Sequence, residues 1–170
     1  APLPVPDHAA HACDVALAMQ ARLKELNDEW RAESLAEGRE HIAVNIGIGL
    51  NTGPASVGNF GSAQRFTYSC LGDDVNLASR LESQCKAYGV GIIVGAKTQM
   101  QVGEYATVEL DRVMVKGRTE PERIFALLGN AGLAQSAGYR ALVDRQAAFL
   151  QEYRAGRFTE ALELIGACQA

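Results

Sequence analysis

The sequence predicts an α+β fold in which helices pack on one face of a mainly antiparallel sheet, followed by a C-terminal helical hairpin. Three observations carry this. Short β-branched, alternating runs recur between residues 41 and 128. Apolar residues recur at helical spacing over 7–30 and 74–88. A small, polar stretch at 130–136 then separates these from two more helical patterns.

Asp7 is placed to cap a helix reaching about Trp30, with Ala10, Cys13, Ala16, Leu17, Leu23 and Leu26 as its apolar stripe. Ser34 to Glu40 is polar and reads as a loop. His41–Leu50 alternates and is β-branched, so it reads as a strand. Asn51-Thr52-Gly53-Pro54 turns the chain, and Ala55–Phe60 returns as the second arm of a hairpin. Phe66–Leu71 is a further strand. A helix over Asp74–Tyr88 follows, capped by Asp73 or Asp74 and stopped by Gly89, burying Val75, Ala78, Leu81 and Cys85. Val90–Val94, Tyr105–Leu110 and Arg123–Leu128 read as strands, and Ala96–Gln101 as a short helix. Val113–Pro121 is a basic turn. The expected organisation is a domain over 1–129, a linker over 130–136 and a helical hairpin of tetratricopeptide type over 137–170, with helices at Ala137–Arg154 and Phe158–Gln169.

Composition narrows the class. With 170 residues, 48% hydrophobic and 21% charged, the chain can bury a sizeable core. A net charge of −4 opposes a nucleic-acid partner held by a broad basic surface. No apolar run approaches the roughly 18 residues of a membrane span. Of the four cysteines, Cys13, Cys85 and Cys168 fall on apolar helical stripes and read as small buried hydrophobes in a reducing compartment. The alternating prolines of Ala1-Pro2-Leu3-Pro4-Val5-Pro6 suggest an extended connector from an upstream segment, the alternative being a processed N-terminus.

The chemistry concentrates in Arg65–Glu82, a strand, a Gly-Asp turn and the opening of a helix. Asn76 and Arg80 lie four residues apart on one helix face, where an amide and a guanidinium can grip a sugar and a phosphate together. The helix N-terminus favours a phosphate nearby. Taken alone, the pair reads more readily as a solvated helix face, with Arg80 bonded to Gln84. No Walker loop and no Gly-x-Gly-x-x-Gly helix opening is present.

Gly47-Ile48-Gly49-Leu50-Asn51-Thr52-Gly53-Pro54, Val57-Gly58-Asn59-Phe60-Gly61-Ser62, Arg65-Phe66-Thr67-Tyr68, Gly72-Asp73-Asp74-Val75-Asn76-Leu77-Ala78-Ser79-Arg80-Leu81-Glu82 and Val115-Lys116-Gly117-Arg118 together resemble the class III adenylate/guanylate cyclases, in order and spacing, over about residues 1–128. The Phe66-Thr67-Tyr68 and Gly-Asp-Asp-Val-Asn forms resemble the bacterial branch. The resemblance implies a ferredoxin-like domain working as a head-to-tail homodimer with active sites at the interface. It implies cyclisation of ATP or GTP with two Mg²⁺ or Mn²⁺ ions. Carried over by motif, Asn76 orients the ribose and Arg80 meets the charge building on the α-phosphate. Arg118 holds the triphosphate, Lys116 is the next candidate, and Ser69 reads the purine, favouring ATP.

One departure is expected. The family's metal-binding aspartates and purine-selecting lysine precede the segment resembling residues 1–30, so no metal ligand is assigned here. Asp73 and Asp74 read as helix caps, and His8 with His11 lacks a third ligand. The chain is therefore expected to carry the transition-state half of an adenylate cyclase site in a cytoplasmic domain without membrane contact. It is expected to be inactive alone. The alternatives are a non-catalytic cyclase-homology module for dimerisation or protein interaction, and a guanylate cyclase.

Overall fold

A computed structural model describes residues 5–62, 65–114 and 121–166. Helix α1 (His8–Ala36) opens the chain, followed by strands β1 (Ile48–Leu50), β2 (Ser56–Ser62) and β3 (Arg65–Leu71). Next come α2 (Asp73–Tyr88), β4 (Ile92–Gly95), α3 (Ala96–Gln99), β5 (Ala106–Val113) and β6 (Glu122–Gly129). Three helices close it: α4 (Ala131–Ala134), α5 (Ala137–Arg154) and α6 (Phe158–Gly166).

The main sheet has the order β1-β4-β6-β5, with β1–β4 parallel and the other two pairings antiparallel. Strand β4 is buried along its whole length, which is why Ile92-Ile93-Val94 reads as a continuous apolar run. Its alternation divides the core. Ile92, Val94, Phe125 and Leu127 face Ala9, Cys13 and Ala16 of α1. Ile93 and Ile124 face Leu77, Leu81 and Cys85 of α2. Helices thus cover both faces of the sheet, where packing on a single face was expected. Every second β4 side chain is large and apolar, so each face needs a cover.

Three local expectations also change. Helix α1 runs on through Ser34, which is buried, and the Asp7 side chain makes no cap bond; Asp7 itself adopts a left-handed conformation. The hairpin forms between β2 and β3, registered Ser56↔Leu71 to Ser62↔Arg65, while β1 pairs with β4. Pairing β2 with β3 closes a shorter stretch of chain than pairing across Asn51–Ala55 would. Residues 41–47 lie outside the ladder. There the Asn27 carboxamide donates to the Val44 carbonyl and accepts from its amide, both at 2.8 Å, and Gln20 Nε2 donates to the Ile46 and Gly91 carbonyls at 3.0 Å. Side chains of α1 take the main-chain groups that a strand neighbour would take.

The stretch 130–136 contains α4, whose N-terminal amides at Gly132 and Leu133 donate to Asn130. In the helical hairpin, Phe149 stacks on Tyr153, and Tyr153 meets Phe158 edge-on, each at 5.8 Å. Leu150 and Ala161 are buried, whereas Phe158 and Leu162 are exposed. Burial pushes the Cys13 thiol up to about 11 and raises that of Cys85, so both stay protonated and behave as apolar side chains.

Candidate active site

The site is organised by how α2 is seated. Its buried stripe is Asp74, Leu77, Leu81 and Cys85. The expected Val75 and Ala78 are only half-buried. The helix backbone comes very close to β1 and the residue before it. A Cβ on Gly49 would sit 2.1 Å from the Ala78 carbonyl oxygen and 2.4 Å from the Glu82 nitrogen. A Cβ on Gly47 would sit 2.9 Å from the Glu82 carbonyl oxygen. The Gly-x-Gly pair therefore exists to let a helix lie against a strand without an intervening side chain. The far end stops at Gly89, left-handed at φ 65°, whose amide donates back to the last turn.

With Leu77 and Leu81 locked inward, Asn76 and Arg80 take the outer face, and both are exposed. The first turn carries Asp73 and Asp74, but Gly72 occupies the N-cap position and neither aspartate side chain caps it. Asp73 is exposed. Asp74 is turned inward, 8% exposed, and accepts from Asn51 Nδ2 at 3.2 Å and from Lys97 Nζ at 3.3 Å. Asn51 Nδ2 also donates to the Asp74 carbonyl at 3.1 Å. Nearby, the Thr52 and Thr98 hydroxyls share a 2.9 Å bond.

Ser69 stands on β3 opposite Gly58, exposed, on the strand that feeds α2. Cys70, the next residue, is also exposed. Asn76, Arg80 and Ser69 are thus all solvent-accessible on the β3–α2 unit. Lys116 and Arg118 lie outside the described residues. Among the described residues no three His, Cys, Asp or Glu side chains group to hold a metal ion. With Asp74 committed to Lys97 and Asn51, the described residues do not fit a two-ion centre.

The Asn51–Asp74–Lys97 cluster is absent from the sequence-based expectation, which assigns Asp74 to a cap. One signal for it was available. The stripe Leu77, Leu81, Cys85 extends backward by helical spacing onto Asp74, which places a carboxylate in the buried row, where it needs partners.

The β3–turn–α2 unit thus presents an amide and a guanidinium to solvent from one helix face, beside a four-stranded mixed sheet. The chain belongs to the adenylate and guanylate cyclase catalytic domain family, whose model matches residues 2–129. It is 36% identical over 129 residues to adenylate cyclase 1 of Rhizobium meliloti, a match covering 74% of this chain and 18% of that protein. The solved adenylyl cyclase CyaB from P. aeruginosa superposes with a TM-score of 0.61 at 33% identity, over 72% of this chain and 59% of that one. The guanylyl cyclase Cya2 gives 0.61 at 32% identity, over 76% and 62%. The chain thus spans under a fifth of that curated relative and about three-fifths of these solved domains. Among the described residues no helix is long and apolar enough to cross a membrane.

Proposed function

We propose that this nucleotide cyclase domain contributes the transition-state half of an adenylate cyclase site, at which the full-length protein, as a homodimer, converts ATP to 3′,5′-cyclic AMP and pyrophosphate. The observation that carries the reading is the outer face of α2. Asn76 and Arg80 are exposed one turn apart while the opposite face is packed against Gly47 and Gly49. In cyclisation the ribose 3′ oxygen forms a bond to the α-phosphorus as the bond to the pyrophosphate oxygen breaks. Negative charge grows on the α-phosphate oxygens. A guanidinium held there stabilises that charge without reorganising, and a carboxamide holds the sugar in attacking geometry. Arg80 and Asn76 take these roles. Arg118 takes the triphosphate tail, and Lys116 is the next candidate for that role.

Ser69 supports ATP, because a hydroxyl can accept from the adenine amino group. Cyclisation of GTP is the second reading, supported by the likeness to a guanylyl cyclase. The exposed β2–β3 ribbon, with Val57, Tyr68 and Leu71 open to solvent, suits a dimer contact. Two divalent ions, Mg²⁺ or Mn²⁺, complete such a site, with ligands from outside this chain.

Complementation tests the reading. The chain is mixed with a class III catalytic domain that supplies the metal-binding aspartates but carries Ala at the positions matching Asn76 and Arg80. Cyclic AMP and cyclic GMP are then measured with Mn²⁺. The expected result is cyclic AMP from the mixture and none from either component. Activity of this chain alone, or none from the mixture, overturns the reading.

A further inference from the structure

Asp74 is a buried carboxylate in the first turn of the helix that carries Asn76 and Arg80, and its partners come from two other elements. Asn51 closes the C-terminal end of β1 and Lys97 lies in α3, after β4. Lys97 Nζ sits 3.3 Å from both carboxylate oxygens, so the ammonium bridges the carboxylate symmetrically. Asn51 adds a donor at 3.2 Å to the side chain and one at 3.1 Å to the Asp74 carbonyl. One amide thus holds both the side chain and the backbone of a single residue.

The surroundings are shaped to this arrangement. A Cβ on Gly53 would lie 1.9 Å from an Asp74 carboxylate oxygen, and one on Gly95 would lie 2.3 Å from Asn51 Oδ1. Two chain segments therefore give up side chains to make room for the carboxylate and the amide. The carboxylate also lies within the first helical turn, where the helix dipole favours negative charge. Asn51, Lys97 and Asp74 thus meet at the start of α2, and Asn76 follows two residues later.

We propose that the Lys97–Asp74 pair is a positioning device for the cyclase reaction, setting the start of α2 so that Asn76 and Arg80 meet the transition state. This rests on the function proposed above. Neither residue is a contact for the nucleotide. Lys97 remains partly solvent-accessible at the edge of the cluster, so replacing it removes the bridge without opening a core cavity. A helix start that shifts by a fraction of an ångström costs reaction rate before it costs ground-state binding.

The test uses the complementation assay with Lys97→Met, Asp74→Asn and Lys97→Arg in this chain. Lys97→Met and Asp74→Asn are expected to lower kcat about tenfold, with KM for ATP within about twofold. Lys97→Arg keeps a cation at the carboxylate and is expected to restore kcat to within about twofold. Amide hydrogen exchange should quicken at residues 75–78 in Lys97→Met and stay unchanged at 84–87. Unchanged kcat in Lys97→Met, a loss confined to KM, or an Arg variant as slow as the Met variant overturns the positioning role. Failure of the parent reading looks different: Asn76→Ala and Arg80→Ala would then be as active as the unsubstituted chain.

Discussion

Tyr139 holds Thr107 by both of its main-chain groups: its hydroxyl donates to the Thr107 carbonyl at 2.9 Å and accepts from the Thr107 amide at 3.1 Å. Strand β5 is the outer strand of its sheet, so these are groups a further strand would take. Gln146, two turns along α5, donates to the Glu109 carbonyl at 3.0 Å. Helix α5 thus covers the strand edge with side chains. Tyr139→Phe keeps the ring and leaves both Thr107 groups without this partner. It is expected to destabilise the chain by about 1–3 kcal/mol. Hydrogen exchange at the Thr107 amide should quicken with it. An unchanged urea midpoint and unchanged exchange would count against the covering role.

Glu109 ties the same helix to the sheet by charge. It pairs with Arg123 of β6 and, at 2.7 Å, with Arg154 of α5. Burial acts to raise its pKa, but the two guanidinium groups outweigh this and hold it below the usual 4.5. A carboxylate depressed in the folded state contributes fully above its unfolded value. That contribution fades as pH falls below about 4.5 and through the lower native value. The difference in urea midpoint between the unsubstituted chain and Glu109→Gln should therefore be constant near neutrality and shrink as pH falls below about 4.5. A difference that stays flat across this range would sink the assignment.

The sequence alone reveals α2, because Leu81 and Cys85 repeat at helical spacing and Gly89 marks the stop, but it puts Val75 and Ala78 in the buried stripe where Asp74 and Leu77 stand. It does not reveal which strand pairs with β1. Alternation in His41–Leu50 reports that a strand exists, but the parallel partner Ile92–Val94 is distant in the chain and chosen by packing. Asp74 is easily misread for another reason. An aspartate after Gly72 satisfies the local rule for a helix start, while the force that turns it inward comes from Lys97 and Asn51 on other elements. The β5 edge cover depends on single residues, Tyr139 and Gln146, that have no periodic signature.

Glycines in the motif separate close approach from mere flexibility. At Gly49 an added methyl would meet the α2 backbone at Ala78 and Glu82, which cannot rotate away as a flexible side chain would. Gly49→Ala should cost about 1–3 kcal/mol or more by pushing α2 off the sheet. The melting temperature should fall by several degrees, at roughly 2–4 °C per kcal/mol. Gly58, in the exposed β2–β3 ribbon, has nothing within 4 Å of an added Cβ. Gly58→Ala should therefore change the melting temperature by no more than about 2 °C. Equal effects at the two positions would contradict the close approach.

Arg80 and Asn76 should show the opposite balance between stability and activity. Both are exposed on the outer face of α2, so removing either side chain leaves the packed stripe untouched. Asn76→Ala and Arg80→Ala are each expected to change stability by less than about 0.5 kcal/mol. In the complementation assay each should lower kcat by roughly 10²–10³, the usual loss for one donor aimed at developing charge. Arg80→Lys is the sharper probe. It keeps the charge but loses the planar fork that meets two phosphate oxygens together, so it should recover only part of the rate. Rates and melting curves measured on the same preparations decide the matter: full recovery by Lys would mean that charge alone suffices, and a matching loss of stability would mean that these residues build the fold rather than the site.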